Sequence, residues 1–293
     1  MQKNPRIMQG QVCIVTGANS GIGKVTSRRL AAMGATVVLV CRAQTKGQYA
    51  IREIRAHLPG ASLELLLADL SSQEHIRRLA SEIQARFPRI NVLINNAGAI
   101  NAHRTLSEDG METTFAVNHL SYFLLTELLL PTLQASAPSR IVNVASIAER
   151  RGRTEFDNLQ GERRYSSARA YQNSKRANLL FTYELARRLE GTGVTANCLH
   201  PGLVRTNFGN RHSWWFRFAK TAFMAARGVS AETGAATVVH LASSAQVEGV
   251  TGQYFERLQE RASSPSSHDP TTARRLWEVS EALTSAGPPP SPS

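Results

Sequence analysis

Of the six tyrosines in this 293-residue chain, only Tyr171 is followed four residues later by a lysine, Lys175. On a helix that spacing stacks the two side chains on one face. A free phenol ionises near pH 10, about three units too high for a base at neutrality. A neighbouring ammonium favours the phenolate and pulls that value down. The pair therefore makes a proton donor and acceptor for an alcohol and its carbonyl, with a helix-surface tyrosine as the plainer alternative. Ser146 stands just past an apolar, β-branched run and can offer its hydroxyl to the same substrate oxygen. Asn118 opens a long helical pattern, where capping is the bland reading.

A second set of residues suits a dinucleotide. Thr16-Gly17-Ala18-Asn19-Ser20-Gly21-Ile22-Gly23 is a tight glycine turn between an apolar strand and a helical pattern. Gly17, Gly21 and Gly23 let the backbone approach a pyrophosphate, while Asn19, Ser20 and Ile22 place helix N–H donors beneath it. Arg42, at the end of the second apolar run, is where a ribose 2′-phosphate would be met by a basic residue and a free 2′-hydroxyl by an acidic one. A guanidinium clamps phosphate in two-point fashion, so NADP(H) is expected over NAD(H), with Lys46 adding charge. Asp69, followed by Leu70, can meet the adenine amino group or cap the next helix. In Asn95-Asn96-Ala97-Gly98 the glycine lets a cofactor lie close and the amides brace neighbouring strands.

These residues need a scaffold, and the chain supplies one. Buried-strand runs at Val12–Val15, Thr36–Cys41, Leu63–Leu67, Val92–Ile94, Ile141–Val144 and Val194–Leu199 alternate with helical patterns. Helices are predicted over 23–34, 44–57, 73–87, 118–134, 168–190 and 231–243, with a last strand near 253–255. Repeated βαβ units make a parallel sheet with helices on both faces, an α/β fold of the single-domain, doubly wound Rossmann type. Its catalytic domain is expected over 8–260. The aromatic-rich stretch 203–228 breaks the rhythm and reads as a lid over the site. Residues 261–293 read as a partly disordered extension with a short helix near 271–283.

Composition narrows the field. Net charge is +12, with five lysines and 29 arginines. The arginines are scattered in ones and twos along helices, where solvated faces and i,i+4 pairs explain them, and no nucleic-acid recognition module is visible. Three cysteines in separate apolar runs give neither a disulfide framework nor a metal site, so a reducing, cytoplasmic location is expected. Met1 to Gln11 is too polar for a secretory segment, and no apolar stretch reaches the roughly 18 residues a membrane-spanning helix needs.

Taken in order, Thr-Gly-x3-Gly-Ile-Gly, Asn-Asn-Ala-Gly, Asn118, Ser146, Tyr171-x3-Lys175 and Pro201-Gly202 resemble the short-chain dehydrogenase/reductase family over roughly residues 8–257. The resemblance implies Tyr171 as catalytic acid/base, Lys175 binding the nicotinamide ribose and lowering the tyrosine pKa, and Ser146 holding the substrate carbonyl. It also implies that Asn118 anchors a water in the proton relay, and that Pro201, Gly202, Val204 and Thr206 flank the nicotinamide. The long interval from Ser146 to Tyr171, Leu199-His200-Pro201-Gly202 and Leu276-Trp277-Glu278-Val279-Ser280 resemble the retinol dehydrogenase branch. Membrane-anchored members of that branch carry an N-terminal hydrophobic segment that Met1 to Gln11 does not supply. In many relatives, helices matching 118–134 and 168–190 form a homodimer.

The combined expectation is hydride transfer between NADP(H) and a carbonyl or alcohol of a small apolar substrate, a retinoid, steroid or aliphatic aldehyde or ketone. Trp214, Trp215 and Phe216 suit such a substrate or a lid that excludes water. The alternative is a non-catalytic NADP-binding regulator, which would usually lose the tyrosine–lysine pair. A specific nucleic-acid partner is not expected.

Overall fold

The computed structural model describes residues 6–202 and 229–285. The stretch 203–228 expected to form a lid, with Val204, Thr206, Trp214, Trp215 and Phe216, lies outside the described residues.

Eight strands form one sheet in the order β3-β2-β1-β4-β5-β6-β7-β8. They are β1 (Val12–Thr16), β2 (Thr36–Cys41), β3 (Leu63–Leu67), β4 (Val92–Asn95), β5 (Ser139–Val144), β6 (Val194–His200), β7 (Tyr254–Glu256) and β8 (Gln259–Glu260). All neighbours pair parallel except β7 with β8. Strand order reverses between β1 and β4, which opens a crevice at their carboxyl ends, where sheets of this kind take ligands.

Side-chain parity builds the two layers. Ile14, Val38 and Val40 belong to one core cluster; Cys13, Val15, Val37 and Leu39 belong to the other. A strand buried on both sides must be apolar at every position, which is why β2 reads Thr-Val-Val-Leu-Val-Cys. Helices α1 (Gly21–Ala32) and α2 (Gln44–His57) cover one face, and α3 (Gln73–Arg86) covers the other.

The segment after β4 differs from the expected helix. A single turn, α4 (Thr113–Phe115), runs into a π-helical stretch, Ala116–Leu120, and then into α5 (Ser121–Ala135). Asn118 sits inside the π stretch, not at a helix start. Such widened turns recur at functional sites because they free backbone groups and re-aim a side chain. After β5 comes α6 (Ser167–Arg188), and after β6 the described chain resumes with α7 (Ala231–Ser243).

Residues 261–285 are folded against the body. Helix α8 (Pro270–Ser285) is longer than the sequence suggested and packs along α6. Its Trp277 joins the main core cluster, edge-on to Phe123 at 4.9 Å and stacked on Phe181 at 5.8 Å. The faces of α5 and α6 turned away from the sheet are thus covered by the chain's own helix. Several arginines make the helix pairs expected of them, such as Arg86–Glu82 at 3.1 Å and Arg188–Glu184 at 2.8 Å.

Candidate active site

The crevice is closed at its base by Thr16. Its hydroxyl donates to the Ile94 carbonyl at 3.3 Å and accepts the N–H groups of Asn96 and Ala97 at 2.9 and 3.0 Å. Asn96 answers with its amide on the Thr16 carbonyl at 2.8 Å. These bonds lock the ends of β1 and β4 together beneath the glycine turn.

The turn itself leaves no room for side chains. Gly17 has φ +65°, and a Cβ on Gly23 would stand 2.4 Å from the Gly17 carbonyl and 2.6 Å from the Asn96 amide nitrogen. Gly21 and Ile22 open α1, whose capping residue Ser20 makes no side-chain bond to the first turn. The first N–H groups of α1, with the positive end of its dipole, are the donors a pyrophosphate would take. Asn19 lies half-buried on the rim.

Arg42 follows β2 and is exposed, its guanidinium 3.7 Å from the Asp69 carboxylate. Lys46 is exposed on the first turn of α2. Asp69 does not cap α3; Ser72 does, accepting the His75 N–H. Asp69 instead holds the N–H and hydroxyl of Ser71 at 3.0 and 2.7 Å. Partial burial opposes its ionisation, but Ser71 and the charge of Arg42 outweigh that and hold its carboxyl below the usual range. Leu70, next in sequence, is buried; in the turn after β4, Ala97 is buried and Gly98 exposed.

Asn95 takes the strand-bracing role expected of these amides. Its side chain is fully buried, donating to Thr126 Oγ1 at 3.1 Å and Asn143 Oδ1 at 2.9 Å. It braces β4 against β5 and α5, and its amide faces away from the crevice. Asn96, next in sequence and so on the opposite side of the strand, faces the glycine turn instead. Pro201 and Gly202 end β6, where Gly202 adopts φ +88° and its N–H meets His200 Nδ1 at 3.3 Å.

The four chemically suited residues converge at the carboxyl ends of β4 and β5. Asn118 is fully buried and caps nothing; its side chain accepts the Ala99 N–H at 2.7 Å and donates to the Ala99 carbonyl and the Ser174 hydroxyl, both at 2.9 Å. Ser146 opens a short 3-10 turn, accepting the Ala148 N–H, and its hydroxyl bonds the Tyr171 phenol. Tyr171 and Lys175 share one face of α6, with the ammonium 5.9 Å from the phenol ring centre.

Enclosure acts on the ionisation of both members of the pair. Burial pushes the phenol up, and it is the Ser146 hydroxyl that pulls it back. Burial also lowers Lys175 to about 7, with its ammonium donating to the Val144 carbonyl at 2.8 Å. Tyr122, which the sequence did not single out, donates to the Ala97 carbonyl at 2.8 Å and lays its ring 5.5 Å from the Lys175 nitrogen. Nothing in its local pattern distinguishes it from other core aromatics of α5.

The short chain dehydrogenase family model matches residues 11–215. The chain belongs to that family. Its similarity to human retinol dehydrogenase 14 is 43% identity, covering 96% of this chain and 88% of the relative. Human retinol dehydrogenase 12 is also 43% identical, over 93% of this chain and 86% of its own length. This short-chain dehydrogenase is therefore retinol dehydrogenase-like. Among solved structures, an uncharacterized protein from Mycobacterium paratuberculosis superposes with TM-score 0.78 at 34% identity, covering 96% of both chains. The Pseudomonas aeruginosa RhlG/NADP active-site complex superposes with TM-score 0.67 at 26% identity, covering 87% of this chain and 97% of that one. The chain is an NAD(P)-dependent oxidoreductase acting on a small molecule. Among the described residues, no helix is long and apolar enough to cross a membrane.

Proposed function

We propose that this dehydrogenase uses NADP(H) to interconvert a carbonyl and an alcohol on an apolar substrate, a retinoid, steroid or aliphatic aldehyde or ketone. The observation that carries this is the Tyr171 phenol bonded to the Ser146 hydroxyl beside Lys175, at the mouth of the crevice that the glycine turn closes. The retinol dehydrogenase relatives support an apolar substrate. Three buried, unpaired cysteines support a reducing, cytoplasmic setting.

The residues fit the cofactor. The glycine turn and the first N–H groups of α1 would hold the pyrophosphate, Arg42 and Lys46 the 2′-phosphate, and Lys175 the ribose beside the nicotinamide. The bound nicotinamide would supply or accept the hydride. Everything else falls to side chains. Ser146 and Tyr171 donate to the substrate oxygen and stabilise the charge that builds there. Burial keeps the proton on Tyr171 near neutrality, so the phenol is ready as the acid for reduction. For oxidation it must lose that proton, a change favoured by the Ser146 hydroxyl and the Lys175 charge.

The test follows absorbance of the reduced nicotinamide while retinoids, steroids, aliphatic aldehydes and quinones are offered with NADPH and with NADH. Tyr171→Phe is expected to lower kcat by about 10²–10⁴-fold without loss of NADPH binding. Arg42→Ala is expected to weaken NADPH by roughly ten- to a hundredfold and to leave NADH unchanged. Equal use of both cofactors by the native chain would overturn the role of Arg42.

A further inference from the structure

Three residues beyond Ser146 the chain buries a carboxylate that the reaction above does not use. Glu149 is fully enclosed, and both of its oxygens are engaged: Oε1 accepts the Ser264 N–H at 3.1 Å and Oε2 accepts the Ser264 hydroxyl at 2.5 Å. Glu149 also belongs to the 3-10 turn, Ile147–Arg151, that starts from Ser146, its N–H donating to the Ser146 carbonyl at 3.1 Å.

The far end of that turn rests on α6. Gly152 donates to the Glu149 carbonyl at 2.9 Å, and its own carbonyl accepts from Arg176 at 3.1 Å. A Cβ at Gly152 would stand 2.5 Å from the carbonyl of Gln172, the residue after Tyr171. The charge of Glu149 acts on the Arg176 guanidinium, which adjoins Lys175 in sequence. The turn is therefore held between the helix that carries Tyr171 and the loop that carries Ser264. A second contact repeats the pattern. Ser280 of α8 meets Nε2 of His119, the residue after Asn118, at 2.8 Å, and burial lowers that ring to about 4.

We propose that residues 263–285 brace the catalytic centre, with Glu149 as the positioning residue that sets the spacing between the Ser146 hydroxyl and the Tyr171 phenol. A buried carboxylate is costly to desolvate, and an apolar side chain would fill the same space at less cost. What the carboxylate adds is direction: two bonds to one residue, one from each oxygen, fix the turn in one place. Tyr183, Cys198 and Tyr254 also lie within electrostatic reach of Glu149, and none carries a positive charge to compensate it. Around Tyr171 stand Ser146, Lys175 and Tyr122, so displacing Ser146 removes the neighbour that lowers its pKa.

The brace takes its catalytic meaning from the reaction proposed above, and its test has a readout that needs no substrate. The full chain is labelled with 3-fluorotyrosine, and the fluorine resonance of position 171 is assigned by its loss in Tyr171→Phe. Its titration is then compared in the native chain, Glu149→Gln, Ser264→Ala and Ser146→Ala. Glu149→Gln and Ser264→Ala are each expected to raise the midpoint of residue 171 by about half a pH unit or more, toward the Ser146→Ala value. With an active substrate, kcat is expected to fall about tenfold or more with NADPH affinity held. Should Glu149→Gln fail to fold, Ser264→Ala, which removes only a hydroxyl, decides. A midpoint that moves in Ser146→Ala but in neither other variant overturns the brace, even if both lose thermal stability. A native chain that turns over nothing while its residue 171 responds to Glu149→Gln defeats the reaction and leaves the brace standing.

Discussion

Lys175 carries a charge that its surroundings resist. In the folded chain burial lowers it to about 7, whereas its ordinary value is 10.5. Between those values the unfolded chain binds more protons than the folded one, so stability rises with pH across that window. The destabilisation is fully present below the folded value and is gone above the unfolded one. The slope is at most about 1.4 kcal/mol per pH unit. Denaturation of the cofactor-free protein at about pH 7 and about pH 9 is expected to show this gain, and Lys175→Met is expected to flatten it. Parallel profiles for the two proteins would show that the ammonium is better solvated than its enclosure implies. A cofactor that gives the ammonium hydroxyl acceptors would relieve the same strain, so binding and protonation are coupled at this one side chain.

At the scale of single elements, the glycine turn is a packing problem before it is a binding site. A methyl group on Gly23 meets the Gly17 carbonyl and the Asn96 amide, both fixed by the bonds that join β1 to β4. Gly23→Ala is expected to cost about 1–3 kcal/mol in chemical denaturation, as overpacking does, and to abolish NADPH binding. Unchanged affinity would mean that α1 can slide away from the turn. The sequence made this element legible because glycine identity, strand before and helix after are all local signals. The same held for Tyr171 and Lys175, whose spacing defines a helix face. It failed where the deciding geometry was not local. Asn95 and Asn96 are chemically alike, and only the parity of β4 separates the strand brace from the residue at the turn. Asn118 looked like a helix start because the π-helical widening of Ala116–Leu120 leaves no mark in the hydrophobic pattern. Glu149 and Tyr122 draw their roles from partners across the fold.

For the whole molecule, the decisive addition is α8. It lies over α5 and α6, and Arg188 stacks on its Trp277 at 4.1 Å. A homodimer built on the outward faces of α5 and α6 would have to displace this helix. Trp277→Ala is expected to cost about 3–5 kcal/mol, typical of a buried large-to-small change. It is also expected to promote self-association through the uncovered Phe123 and Phe181, visible as a shift to larger species in size-exclusion chromatography. A stable variant of unchanged size would show that α8 is an accessory to the core. The placement of α8 also bears on how the protein is made. Synthesis runs from the first residue onward, and domains gather as their parts emerge. Ser264 joins Glu149 across 115 positions and Ser280 joins His119 across 161. A nascent chain therefore displays Asn118, Ser146, Tyr171 and Lys175 well before the ribosome releases the residues that hold two of their neighbours. Catalytic competence is then among the last properties to be acquired, and a polypeptide stalled before residue 264 would hold the full chemical inventory without its alignment.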